Sequence, residues 1–148
     1  MNLPGEGDRV SGEDTGPGLP GGPQGLDGLP AFMKWMEFLK WLLPVTDRFP
    51  KKYHFTFSNR IDNLALDVVE DLVEARYTKD KTAILRRANL RLERMRMLLR
   101  LAHDLRVLSH DSHEHAAKAM NEVGRMLGGW LRERQGQPER RPARSGRP

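Results

Sequence analysis

Cysteine is missing from all 148 residues, which excludes disulfides, thiolate zinc sites, iron–sulfur clusters and cysteine nucleophiles, and suits a reducing compartment. Long apolar runs are missing as well. No stretch of about eighteen apolar residues exists that could cross a membrane, and no basic region followed by an apolar one opens the chain as a secretory signal would. Catalytic signatures are equally scarce. The serines and threonines have no matched base and orienting acid at a recognisable spacing, and no glycine-rich phosphate loop occurs. These absences predict a soluble, cytoplasmic protein that is not an enzyme and carries no cofactor.

Proline is absent from Lys51 to Gln137 and crowded at both ends. Residues 1–30 hold nine of the fourteen glycines and five of the ten prolines, with five acids against the single base Arg9. Such a tail cannot bury enough apolar surface to offset its chain entropy. Residues 132–148 carry six arginines, two acids and three prolines. The reading is a folded unit over 31–131 between two disordered tails, one acidic and one basic. The tails are either solvated spacers, or a phosphate-binding arm at the C-terminus and an internal competitor for basic surface at the N-terminus. With 25 Lys+Arg against 20 Asp+Glu and a pI near 9.9, the chain favours polyanionic partners: nucleic acid, an acidic membrane face or an acidic protein.

Within the middle segment apolar residues recur at three- and four-residue steps in four blocks. The first begins after Pro30 with Phe32, Trp35, Met36, Leu39, Leu42 and Leu43. Trp41 falls on its polar side, and Pro44 predicts a kink or early end. Asp47 to Ser58 reads as irregular, with Thr56 or Ser58 as an N-cap for the second helix. That helix spans about Asn59 to Tyr77, with Asn63, Asp67, Glu70, Asp71 and Glu74 on the face opposite its apolar residues. The third, about Lys81 to Leu108, is apolar nearly all round. The fourth starts near Ser112, capped by Asp111 or Ser112, and contains Gly128-Gly129, read as close helix packing or a terminal fray. Short connections and no strand pattern give an all-α, antiparallel up-down four-helix bundle. Surplus apolar surface on the third helix, with Trp41 outward, predicts association between copies of the chain.

Two constellations carry chemistry. His110, Asp111, His113, Glu114 and His115 resemble a metal site, but His113 and His115 do not share a helix face and no known ligand spacing appears, so a solvated, pH-sensitive helix start and no metal is the reading. His54 and His103 are read as surface residues. The more informative set is the row of arginines on the third helix. At about 100° per residue, Arg86, Arg96 and Arg100 lie with Glu93 and Asp104, while Arg87, Arg91 and Arg94 form a second cluster. That cluster either pairs with acids of the second helix or a neighbouring subunit, or forms a phosphate-binding stripe. Lys51 and Lys52, beside Arg48 and Tyr53, extend such a surface.

Three stretches together, WLLPVTDRFPKKYHFTFSNRIDNLALDVVEDLVEARY, RRANLRLERMRMLLRLAHDL and EVGRMLGGWL, resemble the accessory variability determinant (Avd) proteins of diversity-generating retroelements. Those are related to four-helix-bundle proteins encoded in intervening sequences of bacterial 23S rRNA genes. The resemblance spans about Trp35 to Leu131 and leaves out both tails; the Gly/Pro-rich N-terminal tail is the departure from the family pattern. It implies a homopentameric barrel with a basic surface that binds nucleic acid, RNA and also DNA, and the reverse transcriptase of the element, as a non-catalytic partner in mutagenic cDNA synthesis. By position it assigns that binding to Arg86, Arg87, Arg91, Arg94 and Arg100. The rival reading is a structural or protein-interaction bundle that binds no RNA. A third, a membrane-surface protein using the Trp/Lys-rich first helix, competes with the core for the same apolar stripe, and no membrane partner is expected.

Overall fold

The apolar periodicity is realised as four α-helices in the computed structural model, which describes residues 28–135. Helix α1 covers Leu29–Asp47, α2 Asn59–Arg76, α3 Thr82–Asp104 and α4 His110–Gln135. No strand occurs among the described residues. Successive helices pack against one another and α4 closes the ring on α1, an antiparallel four-helix bundle. Apart from the ends of α1 and α4, the two tails read as disordered lie outside the described residues. No helix among the described residues is long and apolar enough to cross a membrane.

The core lies along the axis of the ring. Trp35, Leu42, Ile61, Leu72, Leu85, Leu92, Met95, Met120 and Leu127 are buried in it from all four helices, with Phe57 from the turn before α2. Truncating one such leucine to alanine costs about 2–5 kcal/mol in comparable cores. The Trp35 indole donates to the Ala65 carbonyl at 2.9 Å, so its polar atom is satisfied inside the core.

Several local expectations are corrected. Helix α1 does not stop at Pro44 but continues to Asp47. Pro44 is exposed, so the carbonyl that loses its partner, that of Lys40, is on the solvent side, where water substitutes. The connection read as irregular is itself helical. A 3₁₀ turn over Lys51–Tyr53 and a π-turn over His54–Ser58 run directly into α2. Ser58 does not cap α2 as predicted; its hydroxyl donates instead to the Thr46 carbonyl at 2.8 Å. Thr46, buried, places its own hydroxyl 2.7 Å from Asp62 Oδ1, and burial foremost pushes the Asp62 carboxyl above its ordinary value.

Trp41 is not outward. It is half-buried between the Phe38 ring at 5.8 Å and the His115 ring at 4.2 Å, because α4 flanks α1 on the side that a single-helix wheel leaves to solvent. The Gly128-Gly129 pair sits inside α4, where added Cβ atoms would meet only Arg132 of the same helix. The close approach occurs at Gly28 instead. Its φ is 78°, and a Cβ there would collide with the Trp130 ring.

The two remaining connections are closed by side-chain and backbone caps. Lys81 is fully buried at the start of α3, its ammonium donating to the carbonyls of Ala75 and Thr78 at 2.7 and 2.5 Å at the end of α2. Helix α3 ends at Asp104, four residues before the predicted Leu108. The Val107 amide bonds to the Ala102 carbonyl at 2.8 Å and the Arg106 amide to that of His103 at 2.9 Å, the pairing of a Schellman motif. Its left-handed residue is Arg106, with φ 63°. Helix α4 starts two residues before the predicted Ser112, and its cap is Ser109, whose hydroxyl accepts from the Ser112 amide at 3.1 Å.

The left-handed position at Arg106 favours glycine, because an L side chain there costs about 1 kcal/mol. Arg106→Gly is expected to raise the urea midpoint, by about 0.5–1 kcal/mol of stability at unchanged m. A lower midpoint would show that the Arg106 side chain itself stabilises the turn.

Candidate nucleic-acid interface

Helix α2 presents Asp67, Asp71 and Glu74 towards α3, and the antiparallel packing brings Arg87 and Arg91 opposite them. The helical spacing predicts Asp71 on the solvent side. Its side chain is only 2% exposed, because two arginines cover it. Arg91 Nη1 donates to both carboxylate oxygens at 2.6 and 2.7 Å. Arg87 donates to Asp71 Oδ1 through Nε at 2.9 Å and to Glu74 through Nη2 at 2.7 Å. The hydrogen bonds to Asp71, then those to Glu74, push the Arg87 guanidinium above its ordinary value. A charge of this kind is stable inside a fold only when paired and hydrogen-bonded. Arg87 and Arg91 therefore face three acids of α2.

The other predicted residues divide sharply. Arg96, predicted on the polar side, crosses to α4 and bonds to the Asn121 side chain, with Nη2 3.4 Å from the Met120 carbonyl and Nε 3.1 Å from Glu93. Gly124 leaves room for it, since a Cβ there would stand 3.1 Å from Arg96 Nη2. Arg100 lies 3.7 Å from Asp104, both well exposed, a contact worth little in water. Arg86 and Arg94 are exposed and make no ion pair with any described residue. Arg94 shares a shallow hollow with Arg60, Asn63, Leu64, Asp67, Met97 and Leu98. Lys51 and Lys52 are exposed in the 3₁₀ turn, Lys52 lying 5.1 Å over the Tyr53 ring. They sit at the opposite end of α2 from Asp71 and Glu74. The structure thus joins Lys51 and Lys52 to the Arg60 end of the surface and separates them from Arg86 and Arg87.

Sequence reasoning missed Arg60 and Phe55. Arg60 lies eight residues beyond Lys52, near the start of α2, and its proximity to Arg94 is a tertiary fact. Phe55 is 85% exposed, the highest among the large hydrophobic side chains described. The signal was present in Phe55 and Phe57, two residues apart, which a helical turn sends in nearly opposite directions.

Among the described residues, no group of three or more His, Asp or Glu is arranged to hold an ion. His103, predicted at the surface, stacks on His113 with ring centroids 4.7 Å apart and lies 5.6 Å from His110. Burial first, then His103, Arg100 and His110, holds the His113 imidazole below its ordinary value, against a smaller opposite pull from Asp104. His54 Nε2 lies 2.9 Å from the Phe49 carbonyl and donates to it.

A basic, all-helical bundle with exposed arginines on several of its helices is the class that this geometry defines. A family model described as bAvd-like matches residues 32–134, which takes in nearly the whole of the four helices. The chain belongs to that family and is of the Avd type, as the resemblance implied. No curated protein matches it. Membership supports an accessory role in a diversity-generating retroelement.

Asp71→Asn removes the charge that both arginines grip and is expected to cost about 1–3 kcal/mol, read as a lower denaturant midpoint; an unchanged midpoint would mean the cluster adds nothing to stability. His113, with its folded value below 6.5, stays neutral where the unfolded chain takes up a proton. Its contribution is thus complete above the unfolded value of about 6.5 and is lost as pH falls from there through the lower folded value. Between about pH 7.5 and 5.5, His113→Gln should flatten the fall in stability; an equally steep fall in the variant would place the sensitivity elsewhere.

Proposed function

We propose that this protein is a non-catalytic accessory protein that binds nucleic acid and partners the reverse transcriptase of a diversity-generating retroelement during mutagenic cDNA synthesis. It acts in the cytoplasm, without a cofactor, and its principal ligand is RNA, with DNA as a second. The observation that carries the reading is a group of exposed cations on α2, α3 and the turn before α2, Arg60, Arg86, Arg94 and Lys51 among them, that make no ion pair with any described residue. Guanidinium groups not held in ion pairs can form bidentate hydrogen bonds to phosphates, and binding without bond-making needs only such groups held on a rigid scaffold. Lys52 and the weakly paired Arg100 extend the surface. Arg87 and Arg91 contribute to the local field, but their donors are engaged by α2.

The assembly is a homopentamer in this proposal, by the family resemblance. An exposed apolar row along α3 and its C-terminal cap supports contact between copies: Leu90, Met97, Leu101 and Leu105, of which Met97 is 69% exposed. These residues recur at steps of seven and four, one stripe on a helix. Repeating the basic surface around an axis turns weak phosphate contacts into avidity.

The engagement of Arg87 and Arg91 by Asp71 favours the second reading, a structural or protein-interaction bundle that binds no RNA. Fluorescence anisotropy with RNA across about 50–200 mM salt separates the two. The proposal expects affinity to fall steeply with salt. Replacing Arg60, Arg86 and Arg94 with alanine should shrink the slope of log K against log salt by about 0.7–0.9 for each phosphate no longer neutralised, with helicity unchanged. Replacing Arg87 and Arg91 should chiefly lower stability. Absence of binding even at the lowest salt would leave the structural bundle as the better account.

A further inference from the structure

The corner between α1 and α2 holds a feature that the phosphate-binding reading does not use, the exposed ring of Phe55. The 3₁₀ turn and the π-turn form one continuous helical stretch, Lys51 to Ser58, leading into α2. Phe57 goes into the core, 1% exposed, and Phe55 projects into solvent at 85%. Lys51 and Lys52 precede it by four and three residues, and Arg60 comes five residues after it. Arg48 and Lys51 are exposed and, like Arg60, have no ion pair with any described residue. The acids nearby are Asp47, which is exposed, Asp62, which is half-buried against the Thr46 hydroxyl, and Asp67, which shares a hollow with Arg60 and lies 4.0 Å from Arg91 Nε. Cations therefore outnumber available acids around the exposed ring.

An exposed phenylalanine is expensive to hydrate, and a lone one usually marks nothing. Here the ring stands within a field of positive charge. An apolar protein partner would have to bury Lys51, Lys52 and Arg60 with it. A polyanion whose own rings are free to stack meets both demands at once. Single-stranded nucleic acid has that chemistry: its phosphates match the cations, and an unpaired base offers a π-face to the ring. A duplex offers the same phosphates but keeps its bases stacked on one another.

We propose that Phe55 is a stacking platform for an unpaired base of single-stranded nucleic acid, with Lys51, Lys52 and Arg60 holding the flanking phosphates. The proposal deepens the nucleic-acid reading above and rests on it. It gives that surface a preference for single strands over duplexes without reading sequence, because every base has a face to stack.

The test uses the full chain with Phe55→Ala and Phe55→Trp, measured by anisotropy against an unstructured uridine-rich oligonucleotide and a duplex of equal length. Phe55 is on the surface, so both variants should keep the wild-type helicity and oligomer mass. Phe55→Ala is expected to weaken single-strand binding at least about fivefold and to leave duplex binding unchanged. Phe55→Trp should retain binding, and its added emission should be quenched by the oligonucleotide. Equal binding by wild type and Phe55→Ala would overturn the stacking role, as would an equal loss on both ligands. A change of oligomer mass in Phe55→Ala would also overturn it and assign the ring to contact between copies. The nucleic-acid reading fails separately, through absence of binding by the wild-type chain.

Discussion

A single buried carboxylate governs how the two central helices meet. Asp71 cannot remain ionised in the seam between α2 and α3 unless cations come to it, and Arg87 and Arg91 do so from α3. The two arginines are four residues apart, about one helical turn, so together they fix both the spacing and the register of α3 against α2. The arrangement is directional as well as attractive, since Arg91 grips both carboxylate oxygens while Arg87 divides itself between Asp71 and Glu74. Apolar ridges alone tolerate sliding by a turn. A carboxylate between two guanidiniums does not.

That lock sorts the charges of the whole surface. Two of the seven arginines between Arg86 and Arg106 are engaged by α2, Arg96 is engaged by α4, and Arg106 closes a turn. What is left for a partner is a smaller set than the sequence displays, and it extends towards the α1–α2 corner. The number of basic residues on a helix therefore overstates the surface, while position relative to neighbouring acids describes it.

The bundle itself was legible because apolar spacing of three and four is a local property, preserved on folding. The start of α2 at Asn59 was read directly, as was most of its apolar face; Val73, which the same spacing places on that face, is 42% exposed. What escaped depends on neighbours. Asp71 looked solvent-facing on its own helix and became buried only beneath arginines sixteen and twenty positions away. Trp41 looked polar-sided until α4 arrived beside it. The stretch from Asp47 to Ser58 lacked α periodicity because much of it is wound more tightly or more loosely than an α-helix, and a template of 3.6 residues per turn is blind to both. Arg60 and Phe55 lay within or beside that same stretch, which is why the corner went unread. The choice between ion pairing and phosphate contact for the second arginine cluster could not be made from spacing, since both uses ask for the same side chains at the same intervals.

The π-turn at His54–Ser58 also bears on how this corner could have arisen. A π-turn accommodates one residue more than an α-turn does, so it is the shape a helix takes when a single amino acid is inserted and the downstream core must not shift. Everything before the insertion is then rotated by roughly 100° relative to α2, at no cost to the packing of Ile61, Ala65 and Val68 behind it. Such a corner is a place where a lineage can re-aim a handful of side chains in one step, and where loss of one codon would turn them back.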